Sequence, residues 1–154
     1  MLTSPPAGPV HDLERIYVVH HRRLRSLAAS ITFDRSVADE VVHDAFAALT
    51  PRVTDVRDAE AYLHRSVVNL AIDHVRRRER ARRLPAHRIE HTSIPEVDGV
   101  WDALATLNGR QRAVVVLRFY EDLSYDRIAE VLGVPIGSVK STLHRALAAL
   151  EDQL

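Results

Sequence analysis

From Asp12 to Ile31 the apolar residues Leu13, Ile16, Tyr17, Leu24, Leu27, Ala28 and Ile31 recur at steps of three and four, with arginines between them. That spacing predicts one amphipathic helix. After the turn-like TFDRS, a second helix is expected from about Val37 to Leu49, with Val42, Ala45, Phe46 and Leu49 on one face and Thr50 and Pro51 ending it. PRVTDVRD then reads as a polar loop. A third helix begins near Asp58, an N-cap residue type; its apolar stripe is Leu63, Val67, Leu70, Ala71 and His74. Its polar stripe holds Arg65, Asn69, Asp73, Arg76, Arg77 and Arg80.

LPAHRIEHTSIPEVDG, from Leu84 to Gly99, carries two prolines and no period, so it reads as a linker. It divides a domain over 11–83 from one over 100–154. In the second, a helix through Trp101, Leu104 and Leu107 meets Asn108 and Gly109, a stop signal, and RQRAVVVLRFYED forms another. The dense apolar run from Ala113 to Leu117 is ambiguous by itself but sits in a helix-length segment, and nothing alternates as a strand does. The expected class is all-α: two small helical domains joined by a linker.

LSYDRIAEVLGVPIGSVKSTLHRAL places two short helices around little more than Gly133, Val134 and Pro135. The first, Ser124 to Leu132, has a capping serine, Asp126 at the favourable end of the dipole and Gly133 as its stop. In the second, Val139, Leu143, Ala146, Leu147 and Leu150 share an inward face, while Gly137, Ser138, Ser141, His144 and Arg145 lie opposite. A connection this short forces a steep crossing, and small, hydroxyl and cationic residues suit an approach to base edges and phosphates. The reading is a helix-turn-helix; the other reading is a helical hairpin whose outer face is merely solvated.

Charge changes the picture by its distribution. The 154 residues hold 21 basic and 21 acidic side chains, a formal balance of zero. Arginine is nevertheless concentrated at positions 76, 77, 78, 80, 82 and 83 with only Glu79 among them, and acids gather at 96–102, 121–130 and 151–152. A charge run is most often a solvated face, yet a local basic stripe binds phosphate on a neutral protein too.

Candidate chemistry is sparse. There is no cysteine, which removes disulfides, thiolate nucleophiles and Cys-based zinc sites. There is no glycine-rich phosphate loop and no HExxH, and His87 and His91 lie in the proline-bearing linker without a third ligand. His20 and His21 are adjacent and point apart on a helix. The expectation is a non-enzyme without metal, cofactor or small-molecule substrate. With no membrane span and no signal-peptide pattern, it is expected to be soluble and cytoplasmic.

LNGRQRAVVVLRFYEDLSYDRIAEVLGVPIGSVKSTLHRALAAL resembles region 4 of bacterial extracytoplasmic-function (ECF, group 4) sigma factors. VADEVVHDAFAAL and AYLHRSVVNLAIDHVRRR resemble their region 2. The resemblance implies binding of core RNA polymerase and direction of that enzyme to promoter DNA, which is then melted. Asp39, Glu40, His43 and Asp44 would meet the coiled coil of the largest polymerase subunit. Arg65, Asn69, Asp73, Arg76, Arg77 and Arg80, with the loop from Thr50 to Glu60, would engage the −10 element.

By the same resemblance, Ser138, Lys140, Ser141, Thr142, His144 and Arg145 would read the −35 element, with Arg110 and Arg112 on phosphates. An autonomous helix-turn-helix regulator that binds an operator is the alternative. Three departures stand out: Thr50 and Pro51 where an aromatic is frequent, Thr142 where the family often has arginine, and LNGRQR in place of a proline-containing start to region 4. Regulation is expected from a separate anti-sigma protein rather than from a domain beyond Leu154.

Overall fold

The computed structural model of the protein describes residues 9–82 and 99–153. The expected linker, with His87 and His91, lies outside the described residues apart from Gly99. Helix α1 (Pro9–Thr32) is followed by α2 (Arg35–Leu49), a single 3-10 turn (Thr50–Arg52) and α3 (Ala59–Arg82). The second half runs α4 (Val100–Ala105), α5 (Gly109–Val115), a π-helical segment (Val116–Tyr120), α6 (Tyr125–Leu132) and α7 (Ile136–Gln153).

Local chemistry sets the helix starts. Asp34 caps α2 by accepting from Ser36 N and Val37 N, which moves the start two residues ahead of the expected Val37. Asp58 accepts from Ala61 N at 3.0 Å and starts α3 where expected. Asn108 and Gly109 open a helix rather than close one. Asn108 Oδ1 accepts from Gln111 N at 2.9 Å while Gln111 Oε1 accepts from Asn108 N at 3.2 Å, a reciprocal capping box. The dense apolar run is helical, its second part widened into a π turn in which Glu121 N donates to Val116 O at 3.1 Å.

Helices α1, α2 and α3 form one packed unit and α4 to α7 another, but the buried residues of both belong to one continuous apolar cluster. Helix α3 shows why. It buries the expected Leu63, Val67 and Ala71, and in addition Val68, Ile72 and Val75, whereas Leu70 and His74 are only half-buried. A helix with one partner needs one stripe; α3 lies between its own unit and the second half and needs a wider one. At this seam Gly109 comes so close to α3 that a Cβ there would stand 3.2 Å from Ile72 O and from Val75 Cβ.

Polar groups complete the seam. Glu121, whose side chain is 4% exposed, lies 3.0 Å from Arg23 Nη2 and 3.5 Å from His64 Nε2, tying the second half to α1 and α3. The hydrogen bond from His64, followed by that from Arg23, holds its carboxyl below the ordinary value of 4.5 against the opposing effect of burial.

Two outcomes follow. Gly109→Ala is expected to lower stability by about 1–3 kcal/mol through overpacking, read from urea denaturation. The ionised Glu121 carboxylate stabilises the fold fully above its ordinary 4.5 and ceases to do so as pH falls through its lower folded value. The stability gap between the wild type and Glu121→Gln should therefore be largest near neutrality and shrink on acidification, as denaturation midpoints along a pH series would record.

Candidate nucleic-acid interface

The end of α7 is presented by α6. Ser124 Oγ accepts from Arg127 N at 3.2 Å to start α6, and Gly133 ends it in the left-handed region at φ 65°, with Val134 N donating to Ala129 O at 3.1 Å. Two residues later α7 begins. Ile128, Val131 and Leu132 of α6, together with Val139, Thr142, Leu143 and Ala146 of α7, are buried and fix the crossing. Gly137, Ser138, Lys140, Ser141, His144 and Arg145 remain exposed. Lys140 Nζ leans to 5.8 Å from the Tyr125 ring centroid, and Ser141 Oγ donates to Ser138 O at 3.2 Å.

Thr142 does not share that outer face. It is 7% exposed, because positions 139, 142, 143 and 146 form the inward row of the helix, and Leu147, expected inward, is turned out at 37%. A contact from the Thr142 side chain to DNA is thus corrected to a packing role.

On α3, Arg65, Asp73, Arg77 and Arg80 are exposed, as the polar stripe requires. Asn69 and Arg76 turn toward the seam. Asn69 Nδ2 donates to Val131 O in the last turn of α6 at 3.2 Å and to Arg65 O at 2.9 Å. Arg76 lines an open cleft with Glu79, Arg110, Thr142 and Arg145, so residues expected at two separate DNA elements share one surface here. The Nε of Arg110 is buried without a hydrogen-bond partner. His74 on the same helix is kept below its usual 6.5 by burial and by the nearby Arg78 and Arg77, and is neutral at pH 7.

Arg112 is a larger correction. It is 6% exposed, and its guanidinium donates to Leu104 O, Ala105 O and Leu107 O, each at 3.1 Å, and to Ile31 O across the seam. Its Cζ lies 4.3 Å from the centroid of Phe33. Burial lowers its pKa to about 10, which leaves it cationic at neutral pH. All its donors are consumed or enclosed, so it holds helix ends rather than phosphates.

Asp39, Glu40, His43 and Asp44 are exposed together on α2. Asp39 Oδ1 pairs with Arg25 Nε at 2.7 Å, and Tyr17 and His21 of α1 form the other wall of a shallow cleft with Asp39, Glu40 and His43. Among the described residues no group of three His, Asp or Glu is arranged to hold a metal, and no helix is long and apolar enough to cross a membrane.

The carboxylates are distributed in a telling way. The ion pairs fall on Arg23, Arg25, Arg78, Arg118 and Arg127. Arg65, Arg76, Arg77, Arg80, Arg110, Lys140 and Arg145 have no carboxylate partner among the described residues. A braced helix end and a set of unpaired cations on α3, α5 and α7 define a nucleic-acid-binding protein.

Residues 16–81 match the family described as Sigma-70 region 2, and residues 98–150 match Sigma-70, region 4. The chain is 34% identical to the RNA polymerase sigma-E factor of Streptomyces antibioticus, over 96% of this chain and 87% of that one. It is 30% identical to the RNA polymerase sigma factor SigV of Bacillus subtilis, over 88% and 86%. Among solved structures it is similar to the sigma factor RpoE in complex with the anti-sigma factor NepR from Bartonella quintana, at a TM-score of 0.69 and 21% identity, over 92% and 96% of the two chains. It is also similar to CnrH in complex with the cytosolic domain of CnrY, at a TM-score of 0.65 and 25% identity, over 94% and 88%.

The chain therefore belongs to the sigma-70 family of RNA polymerase sigma factors, in its ECF group, and serves promoter-directed transcription initiation.

Sequence reasoning misses Arg23, His64 and Glu121 as a set, since nothing local links residues so far apart. The place of Arg112 was available: Gly109, Arg112, Ala113 and Val116 stand at i, i+3, i+4 and i+7, an inward row. Arg112→Ala is expected to cost roughly 3 kcal/mol or more by leaving buried carbonyls without donors. Arg77→Ala, on the exposed face, should leave thermal stability within about 0.5 kcal/mol of the wild type. Differential scanning calorimetry of the two variants checks both.

Proposed function

We propose that the two halves divide the work of promoter recognition. Residues 11–83 hold core polymerase and engage the −10 element, residues 100–154 read the −35 element, and 84–99 join them. The observation that carries this division is the set of unpaired cations on α3 and α7, beside an α7 end whose exposed residues are small or hydroxyl-bearing. Ser138, Ser141 and Arg145 approach base edges, and Lys140, His144 and Arg110 hold phosphates.

On α3, Arg65, Arg77 and Arg80 track the strand that melts, guanidinium planes being suited to both phosphates and bases. Asn69 and Arg76 join them once the seam opens; Asp73 stands on the same exposed stripe and contacts the −10 element with them. Asp39, Glu40, His43 and Asp44 form the acidic polymerase-docking face. Polymerase binding draws the halves apart and thereby frees Asn69 and Arg76.

The role is non-catalytic and cytoplasmic, with core polymerase and promoter DNA as partners. A separate anti-sigma protein is the expected regulator, as in the solved RpoE complex of Bartonella quintana, which holds the anti-sigma factor NepR.

The test is transcription of genomic fragments by core polymerase with and without the protein. Discrete new starts sharing −35 and −10 sequences are expected. Arg77→Ala combined with Arg80→Ala should reduce open-complex formation about tenfold or more while changing affinity for core less than twofold. Equal losses in both assays would remove the α3 stripe from promoter opening, and promoter-specific duplex binding without polymerase would favour an autonomous regulator.

A further inference from the structure

A second open cleft lies on the seam and shares no residue with the cleft of Arg76 and Arg145. It has about 440 Å³ of free space. That falls within the range of about 300–1,000 Å³ usual for small-molecule sites. Arg22 and Arg25 of α1 and Arg35 of α2 supply one wall; Trp101 of α4 and Tyr120 of the π segment supply the other.

Arg25 is engaged by Asp39 at 2.7 Å, whereas Arg22 and Arg35 have neither a carboxylate nor a hydrogen-bond partner among the described residues. Two exposed, uncompensated guanidiniums beside a third form a site for a multiply charged oxyanion, phosphate above all. Trp101 is half-buried and set by an edge-to-face contact with Phe33 at 5.8 Å, and the Tyr120 ring is 63% exposed. Aromatic side chains of this kind stack with a planar ring.

We propose that this cleft binds a phosphorylated nucleobase, its phosphate on Arg22 and Arg35 and its base against Trp101 and Tyr120. The cations come from the first half of the chain and the aromatics from the second. The complete site therefore exists only while the halves are packed together, and its ligand stabilises that arrangement by mass action. The ligand is a free nucleotide or one unit of a single strand, which share this chemistry.

Trp101 is the one tryptophan of the chain, so its fluorescence reports on the site directly. The experiment titrates the full chain, without polymerase or promoter, with adenosine diphosphate, inorganic phosphate and a short oligodeoxyadenylate. Isothermal calorimetry runs in parallel. Saturable perturbation of Trp101 by the diphosphate is expected, weakened about tenfold or more in Arg22→Glu combined with Arg35→Glu, as loss of charge-assisted contacts requires.

Both substituted residues are exposed and unpaired, and circular dichroism verifies that the double variant folds. Tighter binding of the oligonucleotide than of the diphosphate, with the same sensitivity to the double variant, would support the site and assign its ligand to a strand. Equal binding of inorganic phosphate would overturn the base contact. Absence of saturation, or indifference to the double variant, would overturn the proposal without touching promoter recognition.

Discussion

One buried cation decides how the two halves meet. Helix α1 has no basic residue in its last turn, and its final carbonyls would be left without partners at a buried end. Arg112 of α5 supplies Ile31 O, and Arg78 of α3 supplies Thr32 O at 3.3 Å. The same Arg112 guanidinium serves three carbonyls at and just beyond the end of α4. Burial lowers its pKa only to about 10, with Glu79 opposing the fall, so an arginine 6% exposed remains ionised, and its charge sits favourably at the negative ends of two helices. Phe33 depends on it as well: its backbone sits at φ 56°, a region that costs of order 1–3 kcal/mol in general, and its ring is held between Arg112 and Trp101.

The same device recurs along the seam. Asn69 of α3 caps Val131 O near the end of α6 just as Arg112 caps α1 and α4. Polar side chains able to serve elsewhere are thus spent, in this arrangement, on the carbonyls of the opposite half. The seam excludes Asn69 from the outer face of α3 and sets Arg76 against α5 and α7, while Arg65, Arg77 and Arg80 stay outside. Closure and exposure of Asn69 and Arg76 are therefore opposed through particular atoms, while the rest of the α3 stripe stays open.

Helix periodicity carried most of the architecture: α1, α2, α3 and the α6–α7 pair fall where apolar spacing and capping residues put them. The misses have a common cause, residue type weighed above position. Arg112 and Thr142 have polar side chains yet stand on inward rows, and an inward row is honoured whenever the polar atoms find partners, as those of Arg112 do in backbone carbonyls. Asn108 and Gly109 look like a stop by type, but Gln111 three positions on is the sign of a start. The second buried stripe of α3 and the Arg23–His64–Glu121 set were not legible at all, since they depend on which distant half packs where.

The neutral balance of a DNA-binding chain also finds its explanation in the seam and its surroundings. Carboxylates are used as internal braces: Asp34 caps α2 and faces Arg78, Asp39 holds Arg25, and Glu121 joins α1 to α3 and the second half. Each brace occupies an arginine away from the outer stripe of α3 and the exposed end of α7. The cations on those surfaces are left uncompensated, and Arg76, Arg110 and Arg145 share a cleft with Glu79 as its one carboxylate. Like charges at an exposed site repel by about 1 kcal/mol at 4 Å in bulk water, less with salt, so this gathering is tolerable but unfavourable. The apolar contacts and Arg112 outweigh it in this arrangement, and a phosphate backbone laid along these cations would relieve it.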